Sequence, residues 1–404
     1  MRIAAIILAF VLASPAARAA DAEFDRFVAG LFPAAARLGV SRATFDAATR
    51  GLEPDLSLPD LVIPGRVDRQ PAQAEFVQTP AEYLKENSFD RLAGEGRKLA
   101  EQHRATLGQI EQRFGVPAPV ILAIWARETS YGAAKLPYNA MRALATQAYL
   151  GRRKEQFRDE FLLALKMLQE GHAKLESMRS SWGGALGQPQ LLPSRFYQFA
   201  VDFDGDGRKD IWTSVPDVLA TIANHLATLG WQRGQRWSYE VRAPSGADCA
   251  IAQPEVKMKI GAWMRRGYAV AANRKPSAAE LEVEASLLMP AGLYGPAFLT
   301  PANYFVLKEY NFSDLYVLFV GHLADRIAGA RAFETPWQKI DQLKTSSMEQ
   351  MQRELTRRGL YKDKVDGKAG MLTRAALGAY QKQNGLTLDC WPTQGLLDHM
   401  TRSR

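Results

Sequence analysis

Cysteine is nearly absent from this chain: 404 residues hold two, Cys249 and Cys390, and no Cys or His spacing suits a zinc site. A disulfide-dense scaffold is thereby excluded. Past the N-terminus, no apolar stretch approaches the roughly 20 residues that a membrane helix requires. No basic stripe interleaved with aromatics marks a nucleic-acid surface, so nucleic acid is not an expected partner.

The N-terminus itself is patterned. Arg2 precedes the apolar run 3–13, and Ala17-Arg18-Ala19 follows as a small-residue cleavage pattern. Residues 1–19 are therefore expected to be a secretory signal peptide cleaved near Ala19, with a retained anchor as the alternative. No cysteine follows that site to carry a lipid, and a periplasmic or extracellular location is expected, with no membrane-spanning segment in the mature chain. Export leaves Cys249 and Cys390 open to either a disulfide or two separate thiols.

Removing the leader takes away Arg2 and Arg18, so the formal charge falls from +8 to +6. A moderately basic exported protein favours an anionic partner such as a cell-wall polymer. About 385 residues remain, 47% of the whole chain being hydrophobic, enough for two or three domains with large cores. Helical periodicity runs around 24–50, 80–114, 118–131, 140–150, 155–178 and 214–229. From about 233 to 310, short strand-like runs such as 237–242 and 285–289 alternate with Pro and Gly turns, and a helix is expected over 313–330. The expectation is a mainly α (α+β) chain: a body over 20–332 with a small β-containing subdomain, a polar linker over 333–346 and a small domain over 347–404.

Glu128 stands near the end of an apolar helix that Pro119 opens and Gly132 stops. Positions three, four and seven residues earlier are Trp125, Ile124 and Ile121, so the carboxyl shares their face. Desolvation there keeps a proton on a carboxyl near neutral pH, as a general acid facing a glycosidic oxygen requires. A structural glutamate paired with Arg127 or Arg142 fits the same pattern.

Two further segments carry chemistry. Asp202, Asp204, Asp206 and Asp210 occupy positions 1, 3, 5 and 9 of an EF-hand-like loop, with Gly207 at the turn. Calcium is the natural guest for such oxygens. The bidentate Glu is missing, since position 12 is Thr213, and Asp217 is the substitute; the candidate metal set is Asp202, Asp204, Asp206, Arg208 and Asp217. A solvated acidic turn is the alternative. In the 181–194 segment, glycines permit close backbone approach, and Gln188 and Gln190 offer amides suited to sugar hydroxyl or acetamido groups. A glycine turn that packs against a helix is the competing reading.

Six blocks in order, Phe114-Gly-Val-Pro, Ile124-Trp-Ala-Arg-Glu128-Thr-Ser-Tyr-Gly, the 142–153 run, the 184–194 run, the 202–212 loop and Tyr310-Asn311-Phe-Ser313, resemble the lytic murein transglycosylases of the membrane-bound lytic transglycosylase B family. The likeness covers nearly all of 24–330. It implies a lysozyme-like catalytic domain with Glu128 as sole acid and base, calcium in the 202–217 loop as a structural ion rather than a reactant, and a glycan cleft lined by Gln190, Tyr310, Asn311 and Tyr316. Leu191-Leu192 departs from the aromatic-Met pair common in the family. Resemblance also implies the chemistry: cleavage between N-acetylmuramic acid (MurNAc) and N-acetylglucosamine (GlcNAc) with closure of a 1,6-anhydro ring.

The last block looks like a peptidoglycan-binding domain of the small three-helix type. Its apolar spacing supports that fold independently, through Met348, Met351, Leu355 and Leu360, then Leu372, Ala375, Ala376 and Ala379, then Leu396, Leu397 and Met400. Cys390 replaces the family's usual Gly after Asp389. Tethering to the wall would raise the enzyme's local concentration at its polymer. Alternatives are a catalytically silent peptidoglycan-binding scaffold, a muramidase hydrolysing the same bond, and a calcium-regulated structural protein.

Overall fold

A computed structural model describes residues 15–66, 74–272 and 274–402. The expected leader lies outside the described residues up to position 14, and positions 15–19 open the helix Pro15–Ala29. No helix among the described residues is long and apolar enough to cross a membrane. The chain divides into two compact units, one of residues 1–71 and 135–214, the other of 72–134 and 215–404.

The first unit is helical. The periodic stretch 24–50 is broken into Pro15–Ala29, Phe32–Arg37 and Arg42–Thr49. Pro33 suits the first turn of a new helix, and Ser41 accepts from the Thr44 N–H to cap the next. Ala140–Leu150 is capped by Asn139, and Lys154–Gln169 packs beside it. Phe24, Phe45, Met141, Phe157, Phe161 and Phe196 fill the core between these helices. Buried Glu160 accepts from both the N–H and the hydroxyl of Ser194, satisfying the start of the helix Pro193–Phe199. A two-stranded ladder joins Tyr138–Asn139 to Arg179–Ser180.

The second unit combines helices with a sheet. Glu86–Gln102, Ala118–Thr129 and Asp314–Ile327 pack on one another, with Arg104–Phe114 and Val215–Thr228 alongside. Five antiparallel strands, in spatial order Lys257–Lys259, Glu284–Leu288, Ala297–Thr300, Tyr239–Arg242 and Ala269–Val270, form the sheet. Two of them fall on the runs expected at 237–242 and 285–289. Lys257–Lys259 and Ala269–Val270 are too short to show a period of two in the sequence, and Ala297–Thr300 is buried throughout and so does not alternate.

Three C-terminal helices, Thr345–Arg357, Met371–Gln383 and Gln394–Arg402, enclose a separate core of Met348, Met351, Leu355, Tyr380, Leu397 and Met400. They are fastened within this second unit. Cys249 and Cys390 form a disulfide across 141 positions of sequence. Cys390 adopts φ 55°, the left-handed region that a glycine takes without cost, and the Gln381 side-chain oxygen accepts from its N–H to hold it there. Residues 333–346 are packed as well: Glu334 pairs with Arg242 at 2.7 Å, and the Gln338 N–H donates to the Tyr294 carbonyl. A Cβ on Gly295 would sit 2.6 Å from the Trp337 ring, so that glycine makes room for it.

Candidate active site

Glu128 closes the last turn of the helix Ala118–Thr129, and its residue is half-buried. The helix ends three residues before Gly132. Ser130 and Tyr131 already have left-handed φ of 49° and 60°, ahead of Gly132 at 83°. A run of left-handed residues at non-glycine positions is strained, and the surroundings compensate for it. The Ser130 N–H donates to Ala126 O, the Tyr131 ring packs edge-on against Trp125, and the Tyr131 hydroxyl donates to Leu92 O. A Cβ on Gly96 would lie 2.6 Å from that hydroxyl, so Gly96 admits the tyrosine. The turn after the acid is thus clamped from the neighbouring helix.

Tyr316, from the first turn of Asp314–Ile327, donates its hydroxyl to Glu128 Oε1 at 2.5 Å. Burial, and then the Glu128 charge, push the Tyr316 hydroxyl well above the ordinary tyrosine range, so it remains a donor at any working pH. Tyr310, the last residue of Ala302–Tyr310, lies stacked on Tyr316 with centroids 6.4 Å apart and planes 11° apart. It is raised for the same two reasons in the same order. Its other neighbour is buried His225, with ring centroids 4.5 Å apart. The Asn311 side-chain oxygen accepts from the Ser313 N–H at 3.0 Å and so shapes the turn between the two tyrosine helices. Glu128, Tyr310, Asn311 and Tyr316 therefore gather in the second unit.

Arg127 donates to the Tyr83 hydroxyl at 2.6 Å and lies over the Tyr83 and Phe319 rings. Arg142, in the first unit, donates to the Glu53 and Pro54 carbonyls.

Gln188, Gln190 and the acidic loop belong to the first unit. The Gln188 N–H donates to Ile211 O, and its side-chain amide donates to Trp212 O at 2.6 Å. Gln190, at φ 55°, donates to Gly187 O at 2.9 Å. Both glutamines thus brace the loop that carries them. The glycines here answer to packing: a Cβ on Gly184 would lie 2.2 Å from Leu144, and one on Gly187 would lie 2.6 Å from Ile211 O, with φ of 77° and 62°.

Asp202 accepts from the N–H groups of Gly205 and Gly207 at 2.8 and 2.9 Å, and Asp204 accepts from the Ser214 hydroxyl at 2.7 Å. Asp206 and Arg208 pair with each other at 2.9 Å. Asp210 takes the Trp212 and Thr213 N–H groups. Asp217 lies in the second unit, buried in the first turn of Val215–Thr228.

Three participants escaped the sequence reading. His225 and Tyr131 give no local signal except a polar group in an apolar helix and a tyrosine beside a glycine stop. Ion pairing at Asp314, described below, joins residues 60 positions apart. A cavity of about 320 Å³ in the second unit is lined by Lys308, Phe312, Asp314, Lys368 and Arg374, among others, and by neither Glu128 nor Tyr316.

A mainly helical chain with a five-stranded sheet and a two-stranded ladder, carrying an acid at a helix end and two stacked tyrosines, has a lysozyme-like fold. The family described as Transglycosylase SLT domain matches residues 23–325, and the chain belongs to it. Residues 344–400 match the Putative peptidoglycan binding domain. The chain is similar to SltB3 from Pseudomonas aeruginosa, solved in complex with NAG-anhNAM-pentapeptide: 36% identity, 94% of this chain and 99% of that one covered, TM-score 0.83. It is 27% identical over 233 residues to the membrane-bound lytic murein transglycosylase B of Escherichia coli, covering 57% of this chain and 62% of that relative's length. The Escherichia coli lytic transglycosylase Slt35, solved in complex with calcium, matches at 25% identity over 62% of this chain and 77% of that one, with TM-score 0.52.

Proposed function

We propose that the protein is a lytic transglycosylase that cleaves the β-1,4 bond between MurNAc and GlcNAc in peptidoglycan and leaves a 1,6-anhydro-MurNAc end. The observation that carries this reading is the Glu128 carboxyl at the end of an apolar helix with the Tyr316 hydroxyl on Oε1, within a family match over 23–325. The complexes of SltB3 with NAG-NAM-pentapeptide and its anhydro counterpart support the substrate class.

Glu128 acts twice. Protonated, it donates to the bridging oxygen, and the C1–O bond breaks as GlcNAc leaves. The muramyl acetamido group stabilises the cationic C1 from within the substrate, so no enzyme nucleophile is needed. Ionised Glu128 then takes the proton of the C6 hydroxyl, whose oxygen bonds to C1 and closes the ring, which returns the acid to its starting state. Tyr316, still protonated, donates to the carboxyl in both states and fixes its orientation.

Calcium suits the oxygen-rich 202–210 loop as a structural ion, with Asp202 and Asp204 as its carboxylate donors. Export past the inner membrane, expected from the leader, would bring the enzyme to its polymer. The C-terminal domain supplies wall affinity.

The test is mass spectrometry of soluble products after incubating purified peptidoglycan with residues 20–404 and with Glu128→Gln. Anhydromuropeptides from the parent, falling by roughly a hundredfold or more in the variant, are the expected result. Reducing-end products would make the protein a muramidase, and no products with wall binding retained would make it a scaffold.

A further inference from the structure

Asp314 is buried between three cationic or donor groups. The Tyr304 hydroxyl and Lys308 ammonium reach its Oδ1 at 2.7 and 2.6 Å, and the Arg374 guanidinium reaches Oδ2 at 2.9 Å. Tyr304 and Lys308 lie on the helix Ala302–Tyr310, which ends in Tyr310. Asp314 opens the helix whose first turn holds Tyr316. One carboxylate therefore ties together the two helix ends that present the stacked tyrosines. The Ser313 hydroxyl, accepting from the Tyr316 N–H, links the same turn.

The third partner comes from elsewhere. Arg374 belongs to the C-terminal helix Met371–Gln383 and is itself buried, its other amino group donating to Ala369 O. The guanidinium also lines the cavity beside Lys308 and Asp314, and both of its amino groups are engaged, one by Asp314 and one by Ala369 O. Burial alone would push the Asp314 carboxyl up, but Lys308 and Arg374 outweigh it and hold it below the usual carboxylate range. The domain that delivers Arg374 is held in register by several contacts. The Cys249–Cys390 disulfide, the Lys382–Asp248 ion pair at 2.6 Å and the Asp389 side chain, accepting from the Tyr294 hydroxyl at 2.8 Å, all fix it. A Cβ on Gly378 would fall 2.3 Å from the Cys390 sulfur, so that glycine is what lets the helix approach. A freely tethered wall anchor would need none of these contacts.

We propose that Arg374 of the C-terminal domain is a positioning residue for glycan cleavage: by closing the Asp314 knot it seats Tyr316 against Glu128, which makes that domain part of the catalytic apparatus as well as a wall binder. The inference rests on the acid–base reading of Glu128.

Its test compares Arg374→Met and Arg374→Lys in the full mature chain, measuring kcat and KM for product release, co-sedimentation with insoluble peptidoglycan, and thermal melting. Expected is a fall in kcat of about tenfold or more in the Met variant, with KM and wall binding within about twofold and most of the rate restored by Lys. A folded Met variant with unchanged kcat, or one that loses wall binding in place of turnover, overturns the proposal. If the Met variant does not fold, Arg374→Gln decides: a lowered kcat that Lys restores supports the proposal, and an unchanged kcat overturns it. A parent chain with no product release would overturn the acid–base reading and this inference together, whereas an active parent with an indifferent Arg374 overturns only the latter.

Discussion

Glu128 and Tyr316 meet across 188 positions of sequence. Sequence periodicity reaches only as far as the helix, so Glu128 could be picked out as a carboxyl among Trp125, Ile124 and Ile121. Its partner was legible only through the family motif around Tyr310. Even the local reading needed refinement: the expected glycine stop lies beyond two residues that are already left-handed, a conformation that propensity disfavours and that the Leu92 and Trp125 contacts impose. A hydrogen bond to a charged group contributes about 1.5–3 kcal/mol. Tyr316→Phe should therefore slow product release by roughly 10- to 100-fold, measured as initial rate, with wall co-sedimentation unchanged.

At the scale of single elements, the acidic loop and the glycine segment show two different limits. Carboxylates at alternating positions were visible, yet the sequence could not show which would be consumed by loop-internal bonds. Asp206 is paired with Arg208, and Asp210 takes the Trp212 and Thr213 N–H groups. Glycines at 184 and 187 were legible as close-approach positions, but what approaches is Leu144 and Ile211, and tertiary neighbours of that kind leave no periodic trace. A structural ion binds only the folded state, and calcium at a hundredfold excess over its dissociation constant would contribute about 2.7 kcal/mol. Chelation should lower the melting temperature by a few degrees and spare the initial rate. Asp202→Asn should abolish the calcium-dependent shift; an unchanged melting curve in the parent would count against the ion.

Across the whole molecule, the helical body, the small sheet and the three C-terminal helices were foreseeable from the change of period along the chain. Met348, Met351, Leu355, Leu396, Leu397 and Met400 are indeed buried. What sequence could not supply was the docking of that last domain, because the disulfide, Arg374 and the packed 333–346 segment join parts far apart along the chain. Closing a loop of 141 positions restricts the unfolded chain by about 5 kcal/mol in the chain-entropy treatment. The double variant Cys249→Ser, Cys390→Ser should melt several degrees lower than the oxidised parent, and reductant should lower the parent's melting temperature and leave the variant's unchanged.

Ring closure by a single carboxylate is most directly tested by digesting peptidoglycan in heavy-oxygen water and weighing the muramyl ends. Intramolecular attack by the C6 oxygen predicts ends one water lighter than a reducing sugar and free of solvent oxygen. Reducing ends that carry one heavy oxygen at the anomeric position would show that water is the nucleophile and would contradict the account.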